Sequence, residues 1–151
     1  MALNGTLVNQ TPIKSNGDVF LQIFTYEPFH ISNMCPHSIQ GCDILDGEWG
    51  SIGSILFWKY HLDGSECVAK EVVEAADKEK KLVCFKVVDG TLLDLYKILL
   101  LTINVDTTGE QHLVTWTLAY EKLNETVADP NNLMEFCLSV TKDIDTYQCG
   151  I

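Results

Sequence analysis

Between Leu56 and Tyr120 the chain alternates apolar and polar positions with period two, the pattern of half-buried β-strands. In 55–61, Leu56, Trp58 and Tyr60 share one face and Lys59 takes the other. Residues 82–88 set Val83, Phe85 and Val87 against Lys86. Residues 97–105 set Leu99, Leu101, Ile103 and Val105 against Thr102 and Asn104. The cleanest alternation is in 112–121, where Val114, Trp116, Leu118 and Tyr120 oppose Thr115, Thr117 and Glu121. Segment 67–76 is weaker: Lys70 and Glu74 face one way, Glu71, Val73 and Ala75 the other. It tolerates a helix, but hairpin turns on both sides favour a strand. Those turns, at 62–66, 76–81 and 106–111, are short enough to make successive strands antiparallel.

The period changes at both ends. Asp129 reads as an N-cap and Pro130 as a first helical residue. Leu133, Phe136, Cys137, Val140, Ile144 and Tyr147 then fall on one stripe, with Lys142, Asp143 and Asp145 outside it. This predicts an amphipathic helix of about 20 residues with its stripe turned to the sheet. Near the start, Gly5 to Ile13 reads as a strand. Ser15 and Asp18 resemble a capping box ahead of a short helix carrying Phe20, Ile23 and Phe24. A second short helix is predicted over 32–39. The class is α+β. One helix must cover a long sheet, so the inner faces either fill a solid core or leave a chamber with Tyr60 and Tyr120 as polar handles.

Composition narrows the functions. At 151 residues the length fits one domain, 1–151. The formal charge of −11, spread along the chain, repels phosphate backbones and anionic membrane surfaces. Nucleic acid is therefore excluded as a partner, and so is stable membrane association. No apolar run reaches the length of a span, and residues 1–20 lack basic and apolar signal regions, so the expected location is cytoplasmic. Six cysteines, with no CxxC pair, are expected to be free thiols in that compartment. No metal is expected, since Cys35 and His37 lack a second ligand pair. No cofactor is expected either. The sequons at Asn4 and Asn124 are read as surface loops.

The stretch GEWGSIGS, 47–54, has the glycine density of a phosphate loop. A phosphate loop also needs a Lys after its last glycine and a helix whose N-terminal amides meet the anion. Here Ser54, Ile55 and Leu56 lead into a strand, and no Lys occurs before Lys59. The stretch is read as a hairpin connection in which glycine permits positive φ.

HISN at 30–33, GEWGSIGSILFWKYHLDG at 47–64, AKEVVEAAD at 69–77, VVDGTLLDLYK at 87–97, LVTWTLAYEKLNE at 113–125 and TKDID at 141–145 are similar, in order and spacing, to the major latex proteins of plants. That family lies within the superfamily of the major birch pollen allergen and the pathogenesis-related proteins. The resemblance covers nearly the whole chain. It implies a START-like helix-grip fold: a seven-stranded curved antiparallel sheet around a long C-terminal helix, two short helices forming a V, and an internal hydrophobic cavity. The implied role is non-catalytic binding or carriage of a small hydrophobic ligand in plant defence or stress. Fatty acids, lysolipids, sterols, flavonoids and hormone-like metabolites are the implied classes. On this reading Leu56, Trp58, Tyr60, Val83, Phe85, Leu99, Leu101, Ile103, Val114, Trp116, Leu118 and Tyr120 line the sheet side, and Leu133, Phe136, Cys137 and Val140 the helix side. Phe29 and His30 sit at the mouth, His30 either as a structural histidine or as a partner for a ligand head group.

The alternative is an enzyme of plant secondary metabolism, isomerase or condensing type, using the same cavity. Condensing relatives need a buried Lys beside a Tyr and an acid, and the inner faces of 55–61, 82–88 and 112–120 supply no Lys. Glu71 is the one inward acid, and a salt bridge at the rim explains it as well. No catalytic residue is assigned. A ribonuclease role fails for want of a His pair or basic groove. The gate sequences of the abscisic-acid receptors are absent. The expected oligomeric state is a monomer or weak dimer, with Cys149 placed to form adventitious dimers.

Overall fold

The computed structural model describes residues 2–150. Seven strands follow in chain order: β1 (Asn4–Ile13), β2 (Ile39–Asp46), β3 (Ile55–Leu62), β4 (Ser65–Asp77), β5 (Leu82–Gly90), β6 (Tyr96–Asp106) and β7 (His112–Lys122). Three α-helices accompany them: α1 (Gly17–Tyr26), α2 (Ile31–Met34) and α3 (Asn131–Gln148). Short 3₁₀ turns occupy Pro28–His30 and Thr91–Asp94. All strands join one antiparallel sheet in the order β1-β7-β6-β5-β4-β3-β2. Helix α3 packs on β1 and β7 near one edge and also on β3 near the other. One helix touches both sides of so wide a sheet only because the sheet curls around it.

The alternation in β3, β5, β6 and β7 holds residue by residue. Leu56, Trp58 and Tyr60, then Val83, Phe85 and Val87, then Leu99 to Val105 by twos, then Val114 to Tyr120 by twos, are all buried. β4 is a strand, with Cys67, Ala69, Glu71 and Val73 inward. Register shifts after Lys70 and after Val73 bend this long strand against β5.

Several local expectations need correction. The cap of α1 is Asn16, whose side chain accepts from the amides of Asp18 at 2.8 Å and Val19 at 3.2 Å. Ser15 is unavailable because its hydroxyl donates to Asp145 on α3. Asp18 instead pairs with Lys81. The predicted helix over 32–39 is shorter: α2 ends at Met34, and β2 begins at Ile39. β2 escaped a reading from alternation because, with two register shifts, only Ile39 and Cys42 are fully buried and Ile44 only partly. Asp129 does not cap α3, since its carboxylate takes the Tyr120 hydroxyl at 2.6 Å and the Lys122 ammonium at 3.0 Å. Tyr147 falls outside the buried stripe and is 53% exposed, whereas Met134 and Thr141 belong to it. Asn4 opens β1 opposite Glu121 and does not lie in a loop; Asn124 does, and accepts from Thr126.

Residues 47–54 form the β2–β3 connection. Gly47, Gly50 and Gly53 all have positive φ, and the Tyr26 ring packs where a side chain on Gly50 would stand. Ser54, 2% exposed, holds the loop closed: its Oγ donates to the Glu48 carbonyl at 2.6 Å and accepts from the Glu48 amide at 3.0 Å. The Gly53 amide donates to Val73 O at 2.8 Å, and the Ser51 and Ser54 amides also bond within the chain. Amides committed in this way do not form a cradle for an anion. All six cysteines are free; only Cys149 is exposed.

Candidate functional site

Between the concave face of the sheet and α3 lies a partly open apolar cavity of about 70 Å³. Strand β3 contributes Trp58 and Tyr60, β4 Ala69 and Glu71, β5 Phe85, β6 Leu101 and β7 Trp116. Helix α3 contributes Leu133, Phe136, Cys137 and Val140, at the spacing that keeps them on one helical face. Phe24 of α1, Ile39 at the start of β2 and Leu92 of the second 3₁₀ turn complete the wall.

Nine of the residues expected from the sequence therefore meet at this cavity. The others lie elsewhere. Leu56, Val83, Leu99, Ile103, Val114 and Leu118 are fully buried in core packing away from its wall. Tyr120 is buried against Tyr96 and spends its hydroxyl on Asp129. Burial and that carboxylate push its phenol up to about 12. Phe29 packs on Trp49, ring centroids 5.1 Å apart, and His30 turns outward, 3.9 Å from Glu27. Phe24, Ile39, Ala69 and Leu92 were not expected. Phe24 did appear on the short-helix stripe, but periodicity cannot say that α1 faces the cavity rather than sealing the sheet edge.

The polar groups of this wall divide into satisfied and unsatisfied. Trp116 Nε1 donates to Thr141 Oγ1 at 2.8 Å, and that hydroxyl donates to Cys137 O at 2.8 Å. Trp58 Nε1 and Tyr60 Oη are fully buried and have no hydrogen-bond partner among the described residues. An unmet buried donor costs about 1–3 kcal/mol, so two in one wall stand out. Glu71 lies beside Trp58, opposite Leu56. Trp58 pairs with Ala69 across β3 and β4, which makes Glu71 its diagonal neighbour on the inner face.

Glu71 is 8% exposed and enters no ion pair among the described residues, so the rim salt bridge allowed by the sequence is not formed. Burial raises its carboxyl from the ordinary 4.5 to about 7. The nearby Trp58 indole N–H opposes that rise without reaching hydrogen-bonding geometry. Burial also raises the Tyr60 phenol and the Cys137 thiol, and the Glu71 charge adds to both. At neutral pH the cavity thus holds a carboxyl near its titration point, a neutral phenol and an indole, all set in hydrocarbon. No lysine or histidine lines it. No group of three or more potential metal ligands forms among the described residues.

Residues 2–149 match the model of the pathogenesis-related protein Bet v 1 family, whose members bind small hydrophobic ligands. MLP-like protein 28 of Arabidopsis thaliana is 44% identical over 148 residues, covering 97% of this chain. The chain spans only 44% of that relative's length. The crystal structure of major latex-like protein 151 from Panax ginseng is 48% identical with a TM-score of 0.96, covering 97% of this chain and 99% of that one. Norcoclaurine synthase from Thalictrum flavum, at 17% identity and a TM-score of 0.72 over 98% of each chain, shares the fold alone. The helix gripped by seven strands, the apolar cavity between them and the match over residues 2–149 together place this chain in the Bet v 1 family, among its major latex proteins.

Proposed function

We propose that this chain is a non-catalytic binding or carrier protein for a small hydrophobic ligand, in plant defence or stress. The observation that carries this reading is the apolar cavity between α3 and the sheet, walled by aromatic and aliphatic side chains with three buried polar groups. Its volume of about 70 Å³ lies below the roughly 300–1,000 Å³ of sites for drug-sized molecules. A sterol or flavonoid therefore enters only with rearrangement of the wall. Phe136 is the lining side chain that is half-buried rather than buried, and it packs against Tyr60 with ring centroids 5.6 Å apart. Its rotation is the simplest route to a larger chamber. Six free thiols suit a reducing compartment such as the cytoplasm.

Titration with fatty acids, sterols and flavonoids tests the reading. Trp58 and Trp116 both line the cavity, so their fluorescence should change on filling, and the melting temperature should rise with ligand concentration. Silence in both signals for every class removes the carrier role.

A second reading, catalysis in the same cavity, is favoured by one observation: a carboxyl titrating near 7 beside a tyrosine matches the requirement for general acid–base work. It supports an isomerase type over a condensing type, which needs the absent lysine. Turnover that disappears in Glu71→Gln while ligand binding persists would establish it.

A further inference from the structure

We propose that Trp58, Tyr60 and Glu71 form a head-group subsite that accepts an uncharged hydroxyl or carbonyl oxygen on an apolar body and rejects an anionic head group. This rests on the carrier reading and names the ligand class for it. The three side chains are 7%, 6% and 8% exposed and share the inner face of two adjacent strands. Two of them offer donors that no described residue satisfies, so the wall is short of an acceptor. A ligand oxygen supplies one. A hydroxyl does more, since it also donates to the Glu71 carboxylate.

Charge decides the rest. The ten basic residues of the chain are all lysines, and none of them lines the cavity. The titratable groups that feel the Glu71 charge are Cys42 on β2, Tyr60 on β3 and Cys137 on α3, together with Cys84 on the outer face of β5. All four are acids that are either neutral or negative, so none supplies a positive charge, and burial keeps them neutral near neutral pH. A fatty-acid carboxylate or a lysolipid phosphate seated here places a second negative charge beside Glu71 in a low-dielectric wall, with nothing to compensate it. An ammonium head would pair with the carboxylate, but it satisfies neither orphan donor and must itself be stripped of water.

Decanol, decanoate and decylamine share one apolar tail and differ only in the head, so they make the test. Each is titrated into the full chain by calorimetry at about pH 6 and about pH 8, on either side of the Glu71 midpoint. Displacement of the neutral dye Nile red is followed in parallel. The subsite predicts decanol binding at least about tenfold tighter than decanoate at the higher pH, with a narrower gap at the lower, where Glu71 holds its proton. In Glu71→Gln the gap should close to about threefold or less. Trp58→Phe keeps an aromatic ring and removes the donor; it should weaken decanol about fivefold. Equal binding of alcohol and acid, a gap unaltered by Glu71→Gln, or tightest binding of the amine each overturns the subsite. Those outcomes leave the carrier reading standing. Failure of every probe, Nile red included, removes the carrier reading itself.

Discussion

Burial raises the Glu71 carboxyl from 4.5 to about 7, so between those values the folded chain holds a proton that the unfolded chain has released. The sign follows directly. The Glu71 contribution to stability is full below about 4.5, declines as pH rises through about 7, and is constant above that. At pH 8 the ionised carboxyl costs about 3 kcal/mol by this linkage. Glu71→Gln should therefore unfold at higher denaturant in alkaline buffer, with the gain shrinking to near zero in acid. A flat difference across that range would show that the carboxyl is not the titrating group. Phe136 poses a steric question instead. Phe136→Ala removes a half-buried ring from the wall and should cost about 2 kcal/mol, less than a fully buried ring. It should also tighten binding of bulky rigid ligands relative to short chains, as a matched pair of sterol and decanol titrations would reveal.

Helix α3 is held by polar contacts that its sequence stripe does not announce. Asp145 accepts from the amides of Lys14 at 2.9 Å and Ser15 at 2.8 Å, and from the Ser15 hydroxyl. Its partial burial works against ionisation, but these donors win and hold the carboxyl below the usual range. Asp145→Asn leaves two amides poorly met and should cost about 1–3 kcal/mol. Because the pKa is lowered, this stability is present above the ordinary carboxylate pKa and is lost as pH falls through the folded one. Acid denaturation should thus converge for wild type and variant. A mutant penalty that persisted undiminished at low pH would assign the loss to packing. The same three contacts explain why Ser15 does not cap α1 and why Asn16 does: a hydroxyl bonded to Asp145 of α3, 130 residues on in sequence, cannot also cap its neighbour. Likewise Asp129 looked like a cap on local grounds, and the Tyr120 hydroxyl and Lys122 ammonium took it.

At the scale of the molecule, alternation in β3, β5, β6 and β7 was legible because each strand has one buried face and one exposed face, which imposes period two on the residues themselves. The long C-terminal helix was legible for the corresponding reason at its own period. β2 was not, since two register shifts break the alternation in eight residues. The candidate site divides along the same line. Trp58, Tyr60, Phe85, Leu101 and Trp116 were readable as inward, and so were Leu118 and Ile103, yet only the first five reach the cavity. Inwardness is a local property of the pleat. Whether an inward side chain meets a neighbour or a void depends on how far the sheet curls and where α3 crosses it. The sequence by itself determined six of the seven strands, the terminal helix, the acidic charge and the family. Only the tertiary structure decided which buried residues enclose space, and that Trp58, Tyr60 and Glu71 share it without satisfying one another, because those facts depend on distances between segments that no local pattern encodes.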